Sequence, residues 1–302
     1  MKRIIPVLIS LLLAAGVLSC ITPPGPVESI DEEGGSSVWK VTKDGNTLYL
    51  AGSVHVLREE DFPLPLEFHY AFSQSKVLVL ETDTAEIADP KNMEFLMNNL
   101  ILPEGETLRS ILDPEVYQLL ADTCLEYGFS IDPFYNYKPS MVVNIITMVQ
   151  VMFYGFVQEG VDDFYLAKAV NSLMPVKFLE PIQAQIEMIL LMGEGYENEY
   201  VLYSLTDMEN TAEMLEVIVY EWRNGAEEAT TEMVVNMKED WPQMYKSLIT
   251  DRHDLWIPQI IEFIASGQVH FVIAGLAHMY GPDGLLNILK NLGYTIEKVK
   301  LE

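Results

Sequence analysis

The stretch LAGSVHVL, residues 50–57, carries an apolar run into a glycine and, three residues on, a histidine. IAGLAHMYGPDG, residues 273–284, repeats the phrase near the other end of the chain, with Gly275 and His278 answering to Gly52 and His55. A glycine straight after a strand lets the backbone turn sharply and approach a ligand closely. If the two runs are strands of one sheet, both loops lie on one edge and the two histidines face each other. That pairing decides the fold, because it requires the two ends of the chain to meet.

The surrounding residues extend this sheet. VWKVTKDGNTLYLA (38–51) reads as a β-hairpin turning at Asp44-Gly45-Asn46. KVLVLETD (76–83) is a continuous apolar run of strand length, as expected of a strand buried on both faces, and it delivers Glu81 at its C-terminal end. VHFVIAG (269–275) is a similar run, and YTIEKVKL closes the chain as a last strand. Between the ends the pattern is mostly helical. PLPLEFHYAFSQS (63–75), a segment opening at Asp113-Pro114 and stopping at Gly128, a segment near 161–172, one from Ile182 and amphipathic stretches between 197 and 266 all read as helices, with VKFLE (176–180) a lone strand among them. Gly281-Pro282 reads as the start of a final helix and Gly293 as its stop. The expected class is mixed α/β (α+β): a central sheet built from N- and C-terminal strands, with a large helical insertion over about 107–266.

Composition bounds the rest. MKRIIPVLISLLLAAGVLSC (1–20) has Lys2 and Arg3 before an apolar core too short to span a bilayer comfortably, and Val17-Leu18-Ser19-Cys20 resembles a bacterial lipobox. Residues 1–19 are therefore expected to be a lipoprotein signal peptide, with Cys20 lipidated and the chain held at a membrane of the cell envelope, outside the cytoplasm. Residues 20–37, rich in Pro, Gly, Ser and acid, read as a flexible tether to a domain over 38–302. The chain has 18 Lys and Arg against 45 Asp and Glu, a formal net charge of −27. Such a charge repels nucleic acid, so no nucleic-acid partner is expected. With Cys20 acylated, Cys124 has no disulfide partner within the chain. The most apolar segment, 138–157, is interrupted by Asn144, Thr147 and Gln150, which favours a core helix or a homodimer helix over a membrane span.

Open α/β sheets bind ligands at the C-terminal ends of strands, where His55, Glu81 and His278 would all lie. Two histidines and a carboxylate are a familiar divalent-metal set that leaves positions open for water. A water on such an ion is deprotonated near neutral pH and attacks carbonyls. Glu180 or Asp162 is a candidate second acid, holding that water or orienting a ligating imidazole. The oxygen and imidazole donors suit Mn²⁺, Co²⁺ or Zn²⁺ without a thiolate. His69, inside a helix, and His270, inside a strand, read as structural, and Trp39, Trp222, Trp241 and Trp256 as packing residues. No P-loop, nucleophile elbow, H-E-x-x-H helix or C-x-x-C occurs, which removes several common enzyme classes.

These residues resemble a known family. The paired Gly-x-x-His phrases, VLVLETD after the first and AHMYGPDGLLNILKNLGYTIEKV at the end, are similar to the TraB/GumN family, which is related to the Tiki metalloproteases and the EreA/ChaN-like fold. YKPSMVV (137–143), EGVDDFYLAKA (159–169) and FLEPIQAQ (178–185) agree with it, so the resemblance covers about residues 38–300. It implies active-site roles for His55, Glu81 and His278, with Arg252 joining Glu81 as a catalytic residue. Where the family usually has Arg-Asn, this chain has Arg252-His253, which brings a third imidazole toward the site. The activity implied is metal-dependent hydrolysis, with a peptide or small-molecule substrate. Two other readings use the same fold without catalysis: a haem-binding lipoprotein, since Tyr and His are haem ligands, or an envelope protein that captures a peptide.

Overall fold

The computed structural model describes residues 35–206 and 211–301. The signal peptide, Cys20 and most of the tether expected over 20–37 lie outside the described residues. The tether's last two residues are not loose: Ser36 and Ser37 are buried, and the Ser37 N–H donates to the Trp222 carbonyl. The described residues form two compact units.

The first unit comprises Asp83–Phe156 and Pro181–Ala212 and is helical. Its core element is the helix Pro139–Phe153, buried along most of its length and packed on the helices Ile182–Leu191 and Glu197–Thr206. Asn144 and Thr147, the polar interruptions in this apolar run, bond carbonyls one turn back, at Ser140 and Val143. The segment is therefore core packing. Among the described residues no helix is long and apolar enough to cross a membrane. Cys124 is a buried free thiol in the helix Pro114–Glu126, and burial pushes its pKa up to about 11.

The second unit comprises Val157–Glu180, Glu213–Glu302 and the segment ending at Thr82, and it holds the sheet. Strands β1 (Val38–Lys43) and β2 (Asn46–Ser53) are the expected hairpin. Asp44 and Gly45 both have positive φ, +53° and +82°, as a two-residue turn between twisted strands requires. After the short β3 (Val56–Leu57) come β4 (Val77–Leu80), β5 (Gln158–Glu159), β6 (Val176–Phe178), β7 (His270–Gly275) and β8 (Thr295–Lys298). The six-stranded sheet runs in the order β6-β4-β7-β2-β1-β8, while β3 pairs with β5 apart from it. β6, β4, β7 and β2 are parallel neighbours; β1 lies antiparallel between β2 and β8. As the repeated phrase implies, β2 and β7 are adjacent, with Gly52 opposite Ala274 and Ser53 opposite Gly275. β4 and β7 are buried at every position, which is why both read as unbroken apolar runs.

Helices Val161–Asn171 and Asp251–Ala265 pack on this sheet, the first on β4 and β6 and the second on β2. Phe68, Tyr165, Trp222 and Phe271 form an aromatic cluster at its core. The helical part expected as one insertion over 107–266 thus divides. Its helices before Phe156 and after Pro181 belong to the first unit, whereas Val161–Asn171, β6 and the helices from 213 to 265 belong with the sheet. β6 is drawn in because its apolar residues pair with β4. Two helix starts also differ. The helix expected from 63 begins at Leu66, after Pro63 and Pro65. The final helix begins at Leu285, because Gly281 (φ +84°) turns the chain before Pro282.

Candidate active site

The C-terminal ends of the four parallel strands carry the candidate residues to one place within the sheet-bearing unit. His55 follows β2, Glu81 follows β4, Glu180 follows β6 and His278 follows β7. The helix Val161–Asn171 adds Asp162 from its first turn, and the helix Asp251–Ala265 adds Arg252 and His253. A wider π-helical turn, Lys246–Thr250, leads into the latter helix; such turns recur at functional sites, where they offset the residues that follow.

Glu81, Glu180, Arg252, His253 and His278 are buried, and the His55 side chain is partly open to solvent at 23%. A buried charge is tolerated when it is paired and fully hydrogen-bonded. Arg252 is paired on both sides: NH2 donates to Glu81 Oε2 and, at 2.7 Å, to Glu180 Oε1, while Nε donates to Glu180 Oε1 at 3.0 Å. Its remaining arm, NH1, donates to His278 Nε2 at 2.9 Å. The other oxygen of Glu81 accepts the Gly275 backbone N–H. Trp256, one turn beyond Arg252, donates from its indole to Glu180 Oε2 at 3.0 Å, lies under the guanidinium at 4.4 Å and packs on the His278 ring at 4.6 Å.

His55 is held from behind. Its Nδ1 lies 2.8 Å from Asp162 Oδ2, and Asp162 Oδ1 in turn accepts from the Ser53 hydroxyl at 3.2 Å. Gly160 lets this arrangement form, since a Cβ there would sit 2.3 Å from the His55 carbonyl carbon and oxygen. The front of His55 faces Gly275. A Cβ on Gly275 would lie 3.2 Å from His55 Nε2, 3.4 Å from Glu81 Oε1 and 3.5 Å from His278 Cδ2. The three side chains named first from the sequence therefore converge on a space that only the absence of a side chain at Gly275 leaves open.

The charges of the site follow from this geometry. Burial alone would raise the Glu81 pKa, but the Arg252 guanidinium, the two nearby imidazoles and the Gly275 N–H hold it well below the usual carboxylate range. Burial alone would lower His55; the charge and hydrogen bond of Asp162, aided by Glu81, overcome this and lift it to about 9. Burial and the adjacent Arg252 push His278 well down. Burial takes His253 to about 4, with Arg252 adding to it against the partial opposition of the Asp283 carbonyl.

The donors suit a divalent cation in kind. A neutral His278, an ionised Glu81 and a carboxylate-backed His55 are the states in which such side chains ligate metal or, for His55, release one proton to do so. All three approach Gly275. Their arrangement is not a closed cage: among the described residues no three His, Cys, Asp or Glu side chains are disposed to hold an ion, and Arg252 NH1 lies on the His278 nitrogen that would ligate.

Sequence comparison places the chain in a family. The sequence model of the TraB/PrgY/gumN family matches residues 37–298. The chain belongs to that family. Within a wider set of relatives, metalloprotease TIKI1 of Danio rerio is 36% identical over 94 residues, 30% of this chain and 18% of that protein. TIKI1 of Xenopus tropicalis is 32% identical over 87 residues, 28% of this chain and 16% of that protein. The protein YbaP of Escherichia coli (strain K12) is 24% identical over 253 residues, 83% of this chain and 90% of its own length. The chain thus spans less than a fifth of the two TIKI1 proteins. No solved structure matches significantly.

Three members of this cluster were not legible in the sequence. Trp256 passed for packing, although its position four residues after Arg252 puts both on one helix face. Ser53 lies inside the Gly-x-x-His phrase and steadies Asp162. Gly275 figured as a turn residue, whereas it also donates to Glu81. His69 and His270 lie elsewhere in structural settings. His69 Nδ1 meets the Tyr165 hydroxyl at 2.8 Å; His270 bonds the Gln268 carbonyl at 2.8 Å and stacks on Phe263.

Proposed function

We propose that the protein is a divalent-cation-dependent hydrolase that cleaves peptide bonds at the edge formed by β2, β4, β6 and β7. The observation that carries this reading is the convergence of His55 Nε2, Glu81 Oε1 and the His278 ring on the open space at Gly275. The likeness of part of the chain to metalloprotease TIKI1 supports the choice of reaction. The residues that would hold the ion are His55, Glu81 and His278, and it would take the place of the proton on His55 Nε2 and of the Arg252 hydrogen bond on His278. When bound, an Mn²⁺, Co²⁺ or Zn²⁺ ion supplies a Lewis acid and a water that ionises near neutral pH.

The chain's own groups prepare the site for that reaction. Asp162 fixes the His55 ring and makes it a stronger base. Arg252 pairs with Glu81 and Glu180 in a dry interior and keeps Glu81 ionised. Trp256 walls the site and keeps water from the buried side, leaving the partly open His55 as the face that substrate meets. Hydrolysis breaks the C–N bond of the substrate, the carbonyl carbon gaining hydroxyl and the amine nitrogen gaining a proton. We further propose that lipid on Cys20 holds this domain at a membrane of the bacterial cell envelope, where exported peptides are the available substrates.

Incubating the purified full chain with a peptide mixture, and following the products by mass spectrometry, tests the reading. Cleavage that EDTA abolishes and Mn²⁺, Co²⁺ or Zn²⁺ restores is the expected result. Peptide retained stoichiometrically without cleavage, with or without chelator, would instead favour capture.

A further inference from the structure

Arg252, His278, His253 and the backbone of Asp283 form one continuous row of hydrogen bonds. Arg252 NH1 lies 2.9 Å from His278 Nε2, His278 Nδ1 lies 3.0 Å from His253 Nε2, and His253 Nδ1 lies 2.7 Å from the Asp283 carbonyl oxygen. The two ends of the row decide where its protons are. A guanidinium only donates, so His278 Nε2 accepts. A carbonyl oxygen only accepts, so His253 Nδ1 donates. Each ring is then left with one proton and one lone pair, and the middle contact closes only if His278 Nδ1–H donates to His253 Nε2.

Every other placement sets two donors against each other. An imidazolium at His278 would point an N–H at Arg252. An imidazolium at His253 would force the His278 proton onto Nε2, with the same result. Both rings are buried, so a donor left facing a donor is not rescued by water. The carbonyl end is itself anchored: the Asp283 carboxylate bonds Lys238 at 2.7 Å and the Tyr245 hydroxyl at 2.8 Å, which fixes the loop that presents the carbonyl.

We propose that His253 is a positioning residue that acts with Arg252 to hold His278 as one tautomer, accepting its Nδ1–H and so keeping the lone pair of Nε2 turned toward Arg252 and the site. This rests on the reading of His278 as a site residue. That nitrogen is the one an incoming cation would ligate in place of the Arg252 hydrogen bond, and once the guanidinium has yielded it, His253 is the contact that keeps a proton off it.

Imidazole nitrogen NMR of the full chain labelled with ¹⁵N-histidine, read on wild type, His253→Gln and His253→Phe, tests the proposal. The wild type is expected to show His278 protonated at Nδ1 and bare at Nε2. His253→Gln, whose amide oxygen reaches to where Nε2 stood, keeps that pattern. His253→Phe strands the Nδ1–H in a dry interior, so an Nε2-protonated His278 appears beside the first form as Arg252 gives up this contact and keeps its bonds to Glu81 and Glu180. Titration with Zn²⁺ alone gives a second readout: affinity falls about 10–100-fold in His253→Phe, as for other groups that orient a ligand, and is restored in His253→Gln. A wild-type His278 protonated at Nε2 overturns the proposal without any substitution, and so does a His253→Phe protein with the wild-type tautomer and Zn²⁺ affinity. A wild-type chain that binds no Zn²⁺ contradicts the hydrolase reading instead, and the spectra alone then decide the tautomer.

Discussion

Arg252 donates through NH1 to Nε2 of His278 at 2.9 Å while its other nitrogens bond Glu81 and Glu180. One buried guanidinium therefore joins the ends of three parallel strands, β4, β6 and β7. Removing one partner of a buried ion pair leaves an uncompensated charge, which destabilises by about 3–5 kcal/mol. Arg252→Met strands two carboxylates, and urea denaturation should show a loss of that order. Arg252→Met combined with Glu180→Gln should recover part of it, since one of the stranded charges is gone. A wild-type midpoint for Arg252→Met would contradict the arrangement.

Two glycines near His55 predict opposite outcomes for the same substitution. A Cβ on Gly160 would meet the His55 backbone at 2.3 Å, and backbone cannot step aside. Gly160→Ala should destabilise by about 1–3 kcal/mol or more, in the manner of an overpacked core. A Cβ on Gly275 would lie 3.2 Å from His55 Nε2 and 3.4 Å from Glu81 Oε1, and side chains can yield by tenths of an ångström. Gly275→Ala should keep a cooperative melt yet weaken cation binding and hydrolysis, because its methyl group fills the space on which the donors converge. Melting curves and a Zn²⁺ titration of both variants check this, and equal behaviour of the two would refute it.

Much of this site was legible in the sequence because parallel strands write their geometry plainly. Unbroken apolar runs announced β4 and β7, and a polar residue just past each run marks the sheet edge. His55, Glu81, Glu180 and His278 follow from that rule, and Asp162 from the acidic start of its helix. Arg252 and His253 do not: a helix end carries no such mark, and only family resemblance pointed there. Trp256 stayed hidden because a buried indole that packs and one that bonds Glu180 look alike in sequence. The division of the helices into two units was equally silent, since an apolar helix face does not record which body it packs on.

Acid pH should loosen the loop that carries Asp283. The hydrogen bond from Lys238 holds the Asp283 carboxyl below its ordinary 3.8, against a smaller opposing effect of burial, with Tyr245 assisting. A carboxyl lowered on folding contributes stability that is complete above about pH 3.8 and is lost as pH falls through the folded-state value. The group is partly exposed, so the effect is small and screened by salt. Thermal melts of wild type and Asp283→Asn between acid and neutral pH should converge at the acid end and separate above it. Parallel curves across the range would count against the pair.

The proposed lipid anchor makes a separate prediction about residues 1–20. If Cys20 carries lipid, Cys20→Ala should move the protein from the membrane fraction to the soluble one, or leave it unprocessed. Retention of the mutant in membranes at the wild-type level would dismiss the anchor while leaving the site untouched.

The central claim, that His55 is a cation ligand, is tested most directly by calorimetric titration of Zn²⁺ into wild type, His55→Ala and His69→Ala. The His55 side chain is partly accessible and Asp162 keeps the Ser53 hydroxyl as a partner when the ring is removed, while His69 lies outside the site beside Tyr165. An ion stabilises only the form that binds it, by about 2.7 kcal/mol when its concentration is 100 times the dissociation constant. The account predicts Zn²⁺ binding and a raised melting temperature for wild type and His69→Ala. For His55→Ala it predicts a folded apo-protein in which both are lost. Wild-type Zn²⁺ affinity in His55→Ala would contradict it.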